Sequence, residues 1–119
     1  MGDFAMVDIT HGREFSNPSE VLEWKMLQDG IREAVLYVDP DSGTYCRMLK
    51  LDPGATAGKE ALCHEFDEVV YIVSGGLINE RLNERYESGS FASFPRLLKH
   101  GPLTAPVGAL VIETRHYRR

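Results

Sequence analysis

The chain has 119 residues, of which 43% are apolar and 26% are charged, the size and composition of one globular domain. Its 18 acidic and 13 basic residues leave a net charge of -5, which disfavours binding to the phosphate backbone of nucleic acids. The 2 cysteines are too few for a disulfide framework, and no apolar run approaches the ~18 residues of a membrane span. We therefore expect a single cytoplasmic domain over residues 1–119, with neither a nucleic-acid nor a membrane partner.

In chain order, short segments that favour strands alternate with turn signals that contain glycine or proline. Residues 1–21 are expected to be irregular or an edge strand, and Pro18–Leu22 is the one helical candidate. The predicted strands are Leu22–Leu27, Arg32–Val38, Tyr45–Leu51, Glu68–Val73, Leu77–Leu82, Ser90–Phe94 and Ala109–Arg115. The predicted turns include Asp29–Gly30, Asp39–Gly43, Asp52–Gly54 and a hairpin turn at Ser74–Gly76. This pattern predicts an all-β sandwich or barrel, whose narrow interior suits one small ligand.

Two segments of the chain resemble the paired motifs of the cupin family. The positions that match the first motif are Gly54, His64, Glu68 and Gly75, and those that match the second motif are Gly89, Pro95 and His100. The ending from Gly108 to Tyr117 also resembles the cupin branch related to zinc-binding anti-sigma factors, which includes diketone dioxygenases. The resemblance implies an RmlC-like double-stranded β-helix, or jelly-roll barrel, with its core over about residues 22–116. It also implies a homodimer, which would cover exposed strand edges.

The chain departs from the cupin motifs at several positions. Leu62 stands where the family has its first histidine, Leu97 replaces a glycine, and Thr104 replaces an asparagine. Five residues separate Gly54 from Glu60, so Glu60 is a candidate replacement for the missing histidine. The alternative is a site with three protein ligands.

The motif residues His64, Glu68 and His100 form a two-histidine, one-carboxylate set. Imidazole and carboxylate ligands together suit one divalent metal ion such as Fe, Zn, Mn or Ni. Three protein ligands leave positions open for water or substrate, where the metal supplies a Lewis acid or activates oxygen or hydroxide. The sequence therefore predicts a metal site at these residues.

Strand alternation extends the predicted site to the walls of a pocket. Val70 and Ile72 share a strand face with Glu68, so we expect them to line an apolar pocket floor. Arg47 has two possible positions. On an interior face it would be a buried cation that a substrate carboxylate or enolate could partner, and on an edge strand it would lie in solvent.

The resemblance favours a metal-dependent cupin that acts on a small, oxygen-rich organic acid or diketone. The candidate reactions are dioxygenation, isomerisation and lyase chemistry. The fold does not choose among them, because one fold hosts many reactions. The alternative is a non-catalytic cupin that binds or senses a small molecule without a metal. The missing first histidine of the motif favours this second reading.

Overall fold

The computed structural model describes residues 13–58, 65–98 and 101–117. In these residues a single helical turn, α1 (Pro18–Val21), begins at the Asn17 cap, whose side-chain oxygen accepts the Ser19 N–H at 3.0 Å. It is followed by β1 (Lys25–Gln28), β2 (Ile31–Val38), β3 (Tyr45–Leu51), β4 (Ala55–Ala57), β5 (Asp67–Asn79), β6 (Glu84–Glu87), β7 (Phe91–Phe94), β8 (Leu103–Ala105) and β9 (Ala109–His116). No helix in this part of the chain is long and apolar enough to cross a membrane.

The strands form two antiparallel sheets that share β5. One sheet has the order β1–β2–β3–β9–β5–β7, and the other has the order β4–β8–β5–β6. The buried apolar side chains between the sheets come from both of them: Ile31, Leu49, Leu51, Val70, Ile72, Leu77, Ala105, Ala109 and Val111. This arrangement confirms the predicted all-β fold class.

Strand β5 passes from one sheet to the other at a bulge next to Gly75. Its register with β9 shifts between Ile72 and Ser74, and Gly75 has a φ of +77°. A Cβ atom at Gly75 would lie 2.1 Å from the carbonyl oxygen of Gly108, so only glycine fits here without a backbone shift. The predicted hairpin turn at Ser74–Gly76 is therefore wrong, because these glycines lie beside a bulge inside a continuous strand.

The bulge also changes which residues of β5 face the interior. Before the bulge the buried positions alternate through Glu68, Val70 and Ile72, and after it they are Leu77 and Asn79. Because strand side chains alternate strictly, an extra residue is needed to keep both halves directed at one core. The predicted strand Leu77–Leu82 is thus the second half of β5, and the chain turns only after Asn79.

Other strand predictions differ mainly in extent. Strand β3 has its predicted bounds, and β2, β7 and β9 begin or end one residue away from theirs. The first strand begins at Lys25 rather than Leu22, because α1 extends to Val21 and Leu22 closes it. Strands β4, β6 and β8 were not predicted, since segments of three or four residues hold too little alternation to stand out from a loop.

Candidate functional site

The register of β3, β9 and β5 places charged side chains in adjacent rows on the interior face. The residues that lie side by side are Tyr45, Arg115, Glu68 and Phe94 in one row, and Arg47, Glu113 and Val70 in the next. The following row is apolar and contains Leu49, Val111 and Ile72. The interior therefore changes from polar at one end of the sheet to apolar at the other.

Arg47 is buried inside the barrel and is held by two carboxylates. Its Nε and Nη2 atoms lie 3.0 and 2.8 Å from Oε1 of Glu113, and Nη1 donates to Glu33 Oε2. Burial alone would lower the pKa of Arg47, but the charge of Glu113 and the hydrogen bond to Glu33 outweigh it and raise the pKa. Arg47 is thus a buried cation, and its partners are protein carboxylates.

Glu68 and Glu113 form a hydrogen-bonded pair of buried carboxyl groups. Burial, together with the hydrogen bond and the charge of Glu113, raises the pKa of Glu68 to about 8. Burial would also raise the pKa of Glu113, but the bond from Glu68 and the charges of Arg47 and Arg115 lower it below its ordinary value. The pair therefore holds one proton near neutral pH, on Glu68, and Glu113 is ionised.

Arg115 occupies the row beside Glu68 and is less enclosed than Arg47. Its Nε donates to Glu113 Oε1 at 2.7 Å, and its side chain is 24% exposed. The guanidinium carbon lies 4.5 Å from the ring centroid of Phe66 and 5.6 Å from that of Tyr45. These contacts fix the side chain at the polar end of the interior.

A cavity of about 300 Å³ opens beside this charge cluster. Its polar lining comes from Gln28, Arg47, Glu68, Glu113 and Arg115, and its apolar lining includes Leu49, Leu51, Val70, Leu77, Leu103 and Val111. An apolar cavity with a few converging polar groups has the usual form of a small-molecule site.

The structure brings three of the residues predicted from sequence to this part of the core. Glu68, Val70 and Arg47 all line the cavity. Ile72 is buried in the core and lines a second cavity of about 250 Å³, which shares Val70 as a wall. The predicted pocket floor is thus divided between two neighbouring cavities.

The other predicted ligands, Glu60, His64 and His100, lie outside the described residues. The chain on either side of these segments does reach the cavity, since Gly58 and Gly101 are both in its wall. Within residues 13–58, 65–98 and 101–117, no group of three histidine, cysteine, aspartate or glutamate residues could hold a metal. A complete metal site would therefore require residues from the segments beyond these ranges.

Three residues of the charge cluster, Glu33, Glu113 and Arg115, were not predicted from the sequence. Strand alternation could have found two of them, because Glu113 and Arg115 continue the buried face of Ala109 and Val111 along β9. Glu33 offered no such signal, since its neighbours in sequence do not show that it faces an arginine from another strand.

The backbone at Leu97 supports the motif assignment made from sequence. Leu97 replaces a family glycine, yet it has a φ of +69°, in the left-handed region that favours glycine. Among the motif glycines, Gly75 and Gly89 also have positive φ, at +77° and +89°. The conformation associated with glycine is thus retained at Leu97 although the side chain differs.

Comparison with known proteins was made by sequence and by structure. No protein-family model matches the chain, and no curated protein matches its sequence significantly. Solved structures do match over most of the chain. An RmlC-like cupin from Shewanella frigidimarina is 21% identical with a TM-score of 0.75, over 91% of this chain and 94% of that one. The chain has the cupin fold.

Two further solved structures also match over most of the chain. KdgF from a Halomonas species is 26% identical, with a TM-score of 0.74 over 92% of this chain and 96% of that chain. An acetylacetone dioxygenase from Acinetobacter johnsonii is 13% identical, with a TM-score of 0.72 over 89% of this chain and 75% of that chain. The predicted cupin resemblance is confirmed, and a diketone dioxygenase is among the structures that share the fold.

Proposed function

We propose that this cupin is a metal-dependent enzyme that acts on a small, oxygen-rich organic acid or diketone. One divalent metal ion (Fe, Zn, Mn or Ni) would be held by His64, Glu68 and His100, with Glu60 as the candidate fourth ligand. The observation that carries the proposal is the position of Glu68. Glu68 is 4% exposed, lines the cavity and occupies the strand position that matches the cupin motif glutamate.

The donor chemistry at this position is compatible with a metal. A carboxylate beside two imidazoles is a common ligand set for these ions. Metal binding would displace the proton that Glu68 holds in the metal-free protein, and Glu113 would stay ionised beside it through its contacts with Arg47 and Arg115. The bound ion would supply a Lewis acid for a chelating substrate.

The protein's own groups would bind and shield the substrate. The apolar wall of Leu49, Val70 and Val111 would exclude water from the reacting atoms and contact the carbon skeleton. Arg47 and Arg115 both contact Oε1 of Glu113, which holds this carboxylate in one position. A cupin of known activity, the acetylacetone dioxygenase, shares this fold and supports an enzyme of this general kind.

The proposal is tested by elemental analysis of the purified protein together with the variants His64→Ala and His100→Ala. We expect about one metal ion per chain in the wild-type protein and none in either variant, with unchanged circular dichroism. The matched control is His116→Ala, because His116 is exposed on β9 and lies outside the proposed ligand set. It should retain the metal.

Full occupancy in either ligand variant would contradict the assignment. No metal in the wild-type protein, even after reconstitution with each of the four ions, would contradict the metal-dependent function. That result would favour the non-catalytic cupin, and a chelator would then leave the melting temperature unchanged.

We also propose that the protein is a cytoplasmic homodimer. Support comes from the outer face of β5 and β7, where Tyr71 and Phe91 form a cross-strand pair and are 46% and 73% exposed. Light scattering should give the mass of a dimer for the wild-type protein and of a monomer for Phe91→Glu. Val107→Glu, at an equally exposed position outside this cross-strand pair, is the control.

A further inference from the structure

The two arginines that line the cavity differ in how many of their nitrogen atoms already contact a carboxylate. Every nitrogen of the Arg47 guanidinium lies against Glu33 or Glu113. Arg115 contacts a carboxylate through Nε alone, and neither of its terminal nitrogens has a hydrogen-bond or ion-pair partner among the described residues. Arg115 therefore has both terminal nitrogens to offer to a ligand, whereas each nitrogen of Arg47 already contacts a carboxylate.

The carboxylate that Arg115 contacts is already shared. Oε1 of Glu113 lies 2.7 Å from Arg115 Nε, and it also lies within 3.0 Å of two nitrogens of Arg47. Arg47 has Glu33 as a second carboxylate partner, whereas Arg115 contacts only the oxygen atom that it shares with Arg47. Arg115 is therefore the less completely partnered of the two arginines.

The surroundings of Arg115 hold it in position for such a ligand. The rings of Phe66 and Tyr45 flank its guanidinium carbon at 4.5 and 5.6 Å. These contacts and the bond to Glu113 restrict the side chain before any ligand arrives, which reduces the entropy lost on binding. A planar fork of this kind matches the two oxygens of a carboxylate.

We propose that Arg115 binds the carboxylate of the substrate through its terminal nitrogens, so that the substrate is an organic acid and not a neutral diketone. This inference rests on the proposed function for the reaction, but the binding step itself needs no metal. It replaces the role considered for Arg47 in the sequence analysis, because the guanidinium of Arg47 is already occupied by Glu33 and Glu113. The cavity's apolar wall would then hold the rest of the acid.

The test uses isothermal titration calorimetry with acids and their uncharged counterparts. The probes are pyruvate and levulinate, the matching amides pyruvamide and levulinamide, and acetylacetone as the neutral diketone. We expect the wild-type protein to bind at least one acid more tightly than its amide and than acetylacetone. Arg115→Gln should weaken that acid roughly 10- to 100-fold and leave the amide nearly unchanged, as for loss of a charged hydrogen-bonded pair.

Two variants control for the loss of charge and for the fold. Arg32→Gln removes the same charge from an exposed arginine, whose side chain is 44% exposed and faces Asp52 at 3.9 Å, and it should bind the acid like the wild-type protein. Arg115→Lys keeps the charge but not the fork, so it should fold and still lose affinity for the acid severalfold. This variant keeps the test valid if Arg115→Gln fails to fold.

The outcomes separate this proposal from the metal-dependent function. Selective binding of an acid that depends on Arg115 in metal-free protein supports the proposal even if no metal is found. Equal binding of acids and amides, tighter binding of acetylacetone, or no binding of either acid would overturn it, even if the metal is present. An affinity for the acid that is unchanged in Arg115→Lys and Arg115→Gln would also overturn it.

Discussion

The close approach of β5 to β9 at Gly75, next to the bulge, allows a quantitative test of how β5 builds the cavity. Gly75→Ala would introduce a Cβ 2.1 Å from the carbonyl oxygen of Gly108 and 2.9 Å from the Cα of Ala109. Neither atom belongs to a flexible side chain, so β9 or β5 must move. Displacing β9 would also disturb Glu113 and Val111, which lie farther along the same strand.

The expected loss of stability has two parts. At a φ of +77° an L-residue is disfavoured by about 1–2 kcal/mol. Relief of the backbone clash adds an overpacking penalty of about 1–3 kcal/mol, for a total of roughly 2–5 kcal/mol. Gly54→Ala isolates the first part, because Gly54 has a φ of +85° and a Cβ there would meet nothing within 4 Å. Gly108→Ala should fall between them, since its nearest contact, Leu51 O, is at 3.2 Å and its φ is also +85°.

Urea denaturation followed by circular dichroism measures all three variants on one scale. We expect the loss of stability to increase from Gly54→Ala through Gly108→Ala to Gly75→Ala. Equal losses for Gly54→Ala and Gly75→Ala, within about 0.5 kcal/mol, would refute the close approach of β5 and β9 at the bulge. A Gly75→Ala protein that does not fold while Gly54→Ala does would agree with it.

Three further predictions concern the charge cluster and the second motif. Arg47→Met should lower the free energy of unfolding by about 3–5 kcal/mol, because Glu33 and Glu113 lose their shared counter-charge; a loss below about 1 kcal/mol in urea denaturation would contradict this. Leu97→Gly should raise the free energy of unfolding by up to about 1 kcal/mol, because glycine adopts a φ of +69° without strain and Leu97 is 61% exposed. A lower melting temperature in this variant would contradict the prediction. In chelator-treated protein the free energy of unfolding should fall as the pH rises from about 5 to 8. In the folded protein Glu68 has a pKa of about 8 and keeps its proton over this range, whereas in the unfolded chain it releases the proton near its ordinary pKa. Glu68→Gln should flatten this slope, and a slope unchanged by the substitution would be inconsistent with Glu68 as its source.

The fold class and most of the strands could be predicted from the amino-acid sequence. Alternating β-branched segments and glycine-containing turns are local signals, and each can be read without knowing what lies across the sheet. The motif positions around Glu68 and Leu97 likewise led to the cupin fold, because motif spacing belongs to the linear chain. Short strands such as β4 (Ala55–Ala57) escaped prediction because three residues show no alternation.

The charge cluster could not be predicted from the sequence. Arg47 and Glu113 are 66 residues apart, and nothing near either residue in sequence indicates the other. They meet because β3 pairs with β9 in one particular register, and Glu68 joins them because β5 pairs with the other side of β9. A glycine pair in sequence fits a turn and a bulge equally well. The physical reason is that the period of a strand sets only which residues share a face, whereas the partners on that face depend on pairing between distant segments.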